Sequence, residues 1–147
     1  MGSRSADIDF SFRCPTTVRA VLDALTGADW SAEEAPGHVS YLINDADDMF
    51  EWYATTPEGL NEALALLDAP GNLPYAVALN VYHPEAGTGG MLMFSPGRTD
   101  VSFTPTMNRR RLREAPEFTD LAWYLHALVP ALVTAGLDGY EATEVRH

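Results

Sequence analysis

The sequence predicts an α+β fold, a mainly antiparallel sheet of about six to seven strands with three helices. Three observations point there. Several short segments alternate polar and apolar residues with the two-residue period of a half-buried strand. Three other segments carry apolar residues at helical spacing. The links between successive strands are short enough for antiparallel pairing, and the helices fall between groups of strands. The resulting order is β-α-β-β-α-β-β-β-α-β, which begins with the β-α-β-β-α-β order of a ferredoxin-like unit. A length of 147 residues suits one domain over residues 6–145, with residues 1–5 expected to lie outside it as a disordered N-terminus.

Asp7 to Arg13 places Ile8, Phe10 and Phe12 on one face and polar residues on the other, so it reads as a strand with one wet side. After Cys14-Pro15, the residues Val18, Val21, Leu22 and Leu25 form a helix stripe that Thr16 or Thr17 can cap and Gly27 can end. Ala28 to Gly37 is an acidic connector. His38–Ile43 and Met49–Ala54 are two strands joined by the turn-forming Asn44-Asp45-Ala46-Asp47-Asp48. Thr56-Pro57-Glu58 opens a second helix with a capping hydroxyl, a proline at its first position and a carboxylate near its positive end. Its stripe is Leu60, Ala63, Leu64 and Leu67, stopped by Pro70-Gly71.

Tyr75–Tyr82 is apolar on both faces and predicts a central strand. His83–Gly90 links it to Met91–Phe94, and Ser95–Thr99 turns the chain into Asp100–Thr104, completing a meander. The third helix spans about Glu117–Gly136 on the stripe Phe118, Leu121, Leu125, Leu128 and Leu132. Pro130 lies inside it and should kink it, because it cannot donate to the carbonyl of His126. Tyr140–Val145 adds a short last strand.

The composition excludes whole chemistries. There is no lysine, hence no Schiff-base lysine and no Walker A phosphate loop. Cys14 stands alone, so no internal disulfide and no multi-cysteine zinc site can form, and the chain reads as cytoplasmic. No apolar run approaches the ~20 residues that cross a bilayer, and no membrane association is expected. Neither GxSxG, GxGxxG, CxxC nor HExxH occurs. No cofactor is expected.

The net charge of −12 is unevenly placed along the chain. Between Arg19 and Arg98 there is no arginine and twelve of the 21 acids, while the remaining nine acids are balanced by all nine arginines. A field of that sign repels nucleic acid and anionic membrane and steers a cationic partner toward the middle segment. Arg109-Arg110-Arg111-Leu112-Arg113 concentrates the opposite sign, and reads as a solvated loop or helix start paired with Glu114, Glu117 and the acidic segment rather than as a nucleic-acid site.

Asp45, Asp47 and Asp48 offer the oxygen ligands of hard cations, but the glycine and distal glutamate of a calcium loop are missing, so no metal is assigned. His38, His83, His126 and His147 have no ligand spacing and read as satisfied or half-exposed histidines. His83 ends the central strand, where a loop can hold it over a cleft near Glu85 for acid–base work. Cys14, at a helix start, reads as a buried, inert thiol rather than an activated one. Gly87-Thr88-Gly89-Gly90 reads as a flexible hairpin loop, not a phosphate cradle. On the second hairpin strand Phe50, Trp52 and Ala54 share one face, and Met49, Glu51 and Tyr53 the other; both faces need cover.

These features predict a non-enzymatic protein-interaction module that presents an acidic, aromatic surface around Asp45, Asp47, Asp48, Glu51, Trp52 and Glu58 to a cationic protein partner. In character, though not in any motif, such a chain resembles immunity proteins that block a basic toxin. The rival reading is a small-molecule binding protein or enzyme with a pocket between the sheet and the last helix, lined by Tyr82, His83, Trp123 and His126. A third is a structural homodimer whose exposed hairpin face or strand edge its twin covers.

Overall fold

The computed structural model describes residues 4–44 and 50–147, so the expected acidic turn with Asp45, Asp47 and Asp48 lies outside the described residues. The elements are β1 (Arg4–Phe12), α1 (Val18–Thr26), β2 (Val39–Asn44), β3 (Phe50–Thr55), α2 (Leu60–Leu67), β4 (Val77–His83), β5 (Thr88–Phe94), β6 (Asp100–Met107), α3 (Leu121–Val133) and β7 (Leu137–Arg146). The predicted order of strands and helices is the observed one. All strands join one antiparallel sheet in the order β3-β2-β4-β5-β6-β1-β7.

The ferredoxin-like start does not form. β1 pairs with none of β2, β3 and β4; it lies between β6 and β7, with Ile8 opposite both Phe103 and Ala142. The meander β4-β5-β6 carries the sheet outward, and β1 adds to its far end. β1 also begins earlier than expected, since Arg4 and Ser5 pair with Arg146 and Val145. These residues therefore belong to the sheet rather than to a disordered terminus.

The three helices cover one face. Ile8, Phe10, Phe12, Val39, Val77, Leu79, Val81, Leu92, Phe94, Val101 and Phe103 meet Val18, Leu22 and Leu25 of α1, Leu64 and Leu67 of α2, and Leu128 and Leu132 of α3 in one buried cluster. β1, β2, β4, β5 and β6 each contribute alternate residues to it, as the pleat requires. Burying these side chains supplies the main driving force of folding.

Local chemistry sets the helix ends. Thr17 caps α1, its hydroxyl accepting from the Ala20 N–H at 3.0 Å. α2 is entered through a 3₁₀ turn at Pro57–Gly59 and Thr56 makes no side-chain cap; the Glu58 carboxyl is held below its usual range by its own backbone amide first and by the Thr56 hydroxyl second. α3 starts at Leu121, later than Phe118 at helical spacing suggests, because the Asp120 carboxylate accepts the Trp123 N–H and caps the helix there. Pro130 lies within α3, which continues to Val133.

The Gly87–Gly90 run is largely strand rather than hairpin loop: β5 starts at Thr88, and Thr88, Gly89 and Gly90 are buried. A β-carbon on Gly90 would run into the Thr104 carbonyl and the Phe103 ring, so only glycine lets β5 and β6 close beside their register shift. Cys14, expected to be buried, is exposed.

Arg98 is the opposite surprise. It sits in the β5–β6 turn with φ +62°, is 1% exposed, and donates to the carbonyls of Tyr75 (2.7 Å), Ser95 (2.9 Å) and Asn72 (2.9 Å). Burial pulls its pKa down, and the nearby Asp68 charge works against that.

Candidate functional site: the sheet face opposite the helices

The alternate strand residues point away from the helices. From edge to edge this second face carries Trp52, Leu42, Ala78, Met93 and Met91 on β3, β2, β4 and β5, then Ser102 and Thr104 on β6, then Asp7 and Asp9 on β1 and Glu141 on β7. Leu42 and Ala78 are buried but stand apart from the main cluster, and Trp52 is 44% exposed. One half of the face is apolar and the other acidic.

The acidic half is crowded. Asp9 is held above the usual carboxyl range by partial burial first, then by the like charges of Asp7, Glu141 and Asp100. Asp7 accepts a hydrogen bond from Thr104 at 2.6 Å, which fixes one carboxylate of the group. Among the described residues no strand residue on this face is basic. Arg4 instead lies over the Phe118 ring at 4.2 Å, on the helix side. The acids of this face come from the two chain segments whose totals balance by sequence position.

The segment between α1 and β2 lies against this face beside β4. Ser31 and Tyr82 exchange two backbone hydrogen bonds of 2.7 Å, and Asn80 donates to Glu34 Oε2 at 3.2 Å. Gly37, at φ +76°, allows the tight turn in which Glu34 and Ala35 bond back to His38. A pocket of about 330 Å³ results, lined by Ser31, Glu33, Glu34, Pro36, Tyr82 and Pro84 among others.

Of the expected partner-binding residues, the three that are described do not share one face. Trp52 is on the face opposite the helices, Glu51 points to the other side of β3 in register with Ile43, and Glu58 lies in the 3₁₀ turn; all three are exposed.

Nor do the four residues of the expected helix-side pocket come together. His83 and Trp123 do meet, with ring centroids 5.7 Å apart, but inside an aromatic cluster: Trp30 lies 5.3 Å from His83, and Arg110 stacks 4.6 Å over Trp123. His83 Nδ1 accepts the Ala86 N–H at 3.1 Å, a loop-fixing role, and Trp30 donates to the Ala127 carbonyl at 3.2 Å. Tyr82 is on the opposite face of the sheet from His83, as neighbours on a strand must be. His126 is exposed and borders a separate shallow cleft with Pro130 and Tyr140.

The arginine cluster is built into the fold more than expected. Arg109 donates to Thr119 at 2.6 Å and lies 3.7 Å from the Glu144 carboxylate on β7, rather than pairing with Glu114 or Glu117. Glu144 in turn accepts the Thr119 N–H at 2.8 Å. A cleft of about 570 Å³ lies between the Arg13–Thr17 segment and Val133–Gly136. Among the described residues no group of three His, Cys, Asp or Glu side chains is placed to hold a metal ion, and no helix is long and apolar enough to cross a membrane. No known protein family, curated protein or solved structure matches the chain.

Proposed function

We propose that the chain is a non-enzymatic interaction module that docks a cationic protein partner on the sheet face opposite its helices. One observation carries this reading: Asp9 stands opposite Glu141 on β7 and shares its face with Asp7 and Asp100, and among the described strand residues of that face none is basic. Like charges held together disfavour one another, and a cationic surface relieves that cost on binding. Met91 and Met93, two strands from β1, and Trp52 at the far edge of the same face supply the apolar contact area that charge pairing alone lacks. A module of this kind regulates or neutralises its partner by occupying the partner's basic surface.

Fluorescence anisotropy with an oligoarginine peptide tests the proposal. Replacing Asp7, Asp9 and Asp100 by Asn and Glu141 by Gln should weaken binding and flatten its salt dependence. A control neutralising Asp23, Glu62, Glu114 and Glu117 removes the same charge from elsewhere. If the two quadruple variants bind alike, or if binding ignores salt, the proposed surface is wrong. Combining Glu51→Gln with Trp52→Ala shows what the hairpin adds.

A further inference from the structure

The pocket between the α1–β2 segment and β4 contains a feature that the acidic face alone does not explain. The Glu34 side chain is 14% exposed, and its Oε1 is buried with no hydrogen-bond donor among the described residues. Oε2 takes the Asn80 amide, while the His38 ring Nε2 stands 3.7 Å from Oε1, beyond hydrogen-bond distance, on a side chain about half exposed. A buried carboxylate oxygen without a donor is costly and calls for an explanation. The walls beside it are flat and mostly apolar: Tyr82, Pro36, Pro84 and Ala35.

A carboxylate lacking a donor, set among an aromatic ring and prolines, suits a long side chain with an apolar stem and a cationic head. The stem lies along the ring and prolines, and the charge of the head answers the Glu34 carboxylate at the pocket wall. The pocket is also pre-organised. The paired 2.7 Å bonds between Ser31 and Tyr82, the Ser31 hydroxyl bonded to the Glu33 N–H at 3.0 Å, and the turn at Gly37 fix its rim before anything binds. It opens beside Asn80 and Tyr82, on the same side of the sheet as Met91 and the acidic strands.

We infer that this pocket receives a single lysine or arginine side chain of the partner, with Glu34 as its counter-ion and Tyr82 as its wall. The inference rests on the docking reading above and gives it a specific anchor point. Electrostatic attraction to the wider face steers many basic surfaces. A buried carboxylate in a pocket selects one that carries a cation at the right place.

The test uses the full chain and two kinds of probe. Nα-acetyl-arginine amide and Nα-acetyl-lysine amide, titrated in the millimolar range against the ¹⁵N-labelled protein, should shift the amides of Ser31, Glu34, Asn80 and Tyr82 saturably. The uncharged Nα-acetyl-norleucine amide should not. Glu34→Gln, which keeps size and removes charge, should weaken the cationic amide by about tenfold or more, and should weaken the oligoarginine peptide as well. Whichever cationic amide binds more tightly identifies the head group as guanidinium or ammonium. The inference is overturned if norleucine amide produces the same shifts, or if Glu34→Gln binds the cationic amides as well as the parent. In that case retained, face-dependent binding of oligoarginine leaves the docking reading standing. Failure of the parent chain to bind oligoarginine removes the docking reading and the inference together. Tyr82→Leu, which spares the carboxylate but removes the ring, is a second variant and should weaken the arginine amide while leaving the acidic strands untouched.

Discussion

The Asp68 carboxylate at the end of α2 accepts the backbone N–H of Val18 at 2.7 Å, and that of Arg19 at 3.1 Å, so one helix ends by capping the start of another. Both N–H groups belong to the first turn of α1, which has no intrahelical acceptor for them, and the negative charge sits at the positive end of the helix dipole. Asp68→Ala should cost about 1–2 kcal/mol in urea unfolding, and Asp68→Asn, which keeps one acceptor, about half of that. An unchanged midpoint for Asp68→Ala would mean that water replaces the carboxylate at no cost.

Arg98→Met should destabilise the fold by about 3 kcal/mol or more, because three carbonyls lose their donor in a buried turn. Arg98→Lys should recover little, since an ammonium cannot reproduce the planar fork that reaches Tyr75, Ser95 and Asn72 together. Arg98→Gly separates the backbone from the side chain. It relieves the positive φ yet should still be less stable than the parent, as chemical denaturation would show.

Gly90→Ala should cost about 3 kcal/mol, because the new methyl meets the Thr104 backbone and the Phe103 ring, neither of which can swing aside. Thermal unfolding followed by circular dichroism reads the loss. Gly71→Ala is the matched control: its β-carbon would have no neighbour within 4 Å, and its effect should be small.

Asp9 makes a prediction with a definite sign. Its folded pKa is raised above 3.8, so the folded state holds a proton more tightly than the unfolded chain. The penalty is absent below pH 3.8, grows as pH rises through the folded pKa and is complete above it. Asp9→Asn should therefore stabilise the protein at neutral pH, by no more than about 1 kcal/mol given the screening at an exposed site, and the gain should vanish in acid. Carboxyl titration by NMR should show the Asp9 value falling toward its ordinary range when Glu141→Gln is introduced or when oligoarginine binds.

The order of the elements was readable because the periods differ so clearly: Ile8, Phe10 and Phe12 alternate, while Val18, Val21, Leu22 and Leu25 recur every three or four residues. What alternation cannot convey is the neighbour. It places Ile8 on the buried face but does not say that Phe103 and Ala142 flank it, so a familiar local order suggested the wrong strand pairing. The start of α3 was misplaced for a related reason. Phe118 continues the helical spacing, yet a capping carboxylate at Asp120 outweighs one more apolar contact.

The candidate site was less legible than the fold. Counting charge along the chain drew attention to residues 20–97 and declared the rest neutral, but Asp7, Asp9, Asp100 and Glu141 belong to that remainder. Their balancing arginines are engaged elsewhere: Arg4 over Phe118, Arg109 with Glu144, Arg110 on Trp123 and Arg98 inside a turn. Pairing of segments far apart in sequence made the acidic group. Tyr82 was singled out as a pocket residue, but its neighbours were wrong, since only the Ser31 bridge brings Glu34 beside it. Nothing in the run Ser31-Ala32-Glu33-Glu34 distinguishes the carboxylate that ends up buried from the one before it.

The place of β1 between β6 and β7 also governs how the chain can be made. Residues 4–12 are synthesised before both of their neighbours, residues 100–107 and 137–146. Until those follow, Ile8, Phe10 and Phe12 have no strand beside them, and contacts so distant in sequence form slowly. Over that interval the nascent chain carries an apolar strand with two open edges. Its alternating aspartates, Asp7 and Asp9, would keep that strand soluble while it waits, so the same carboxylates that crowd the finished face act as gatekeepers against aggregation beforehand.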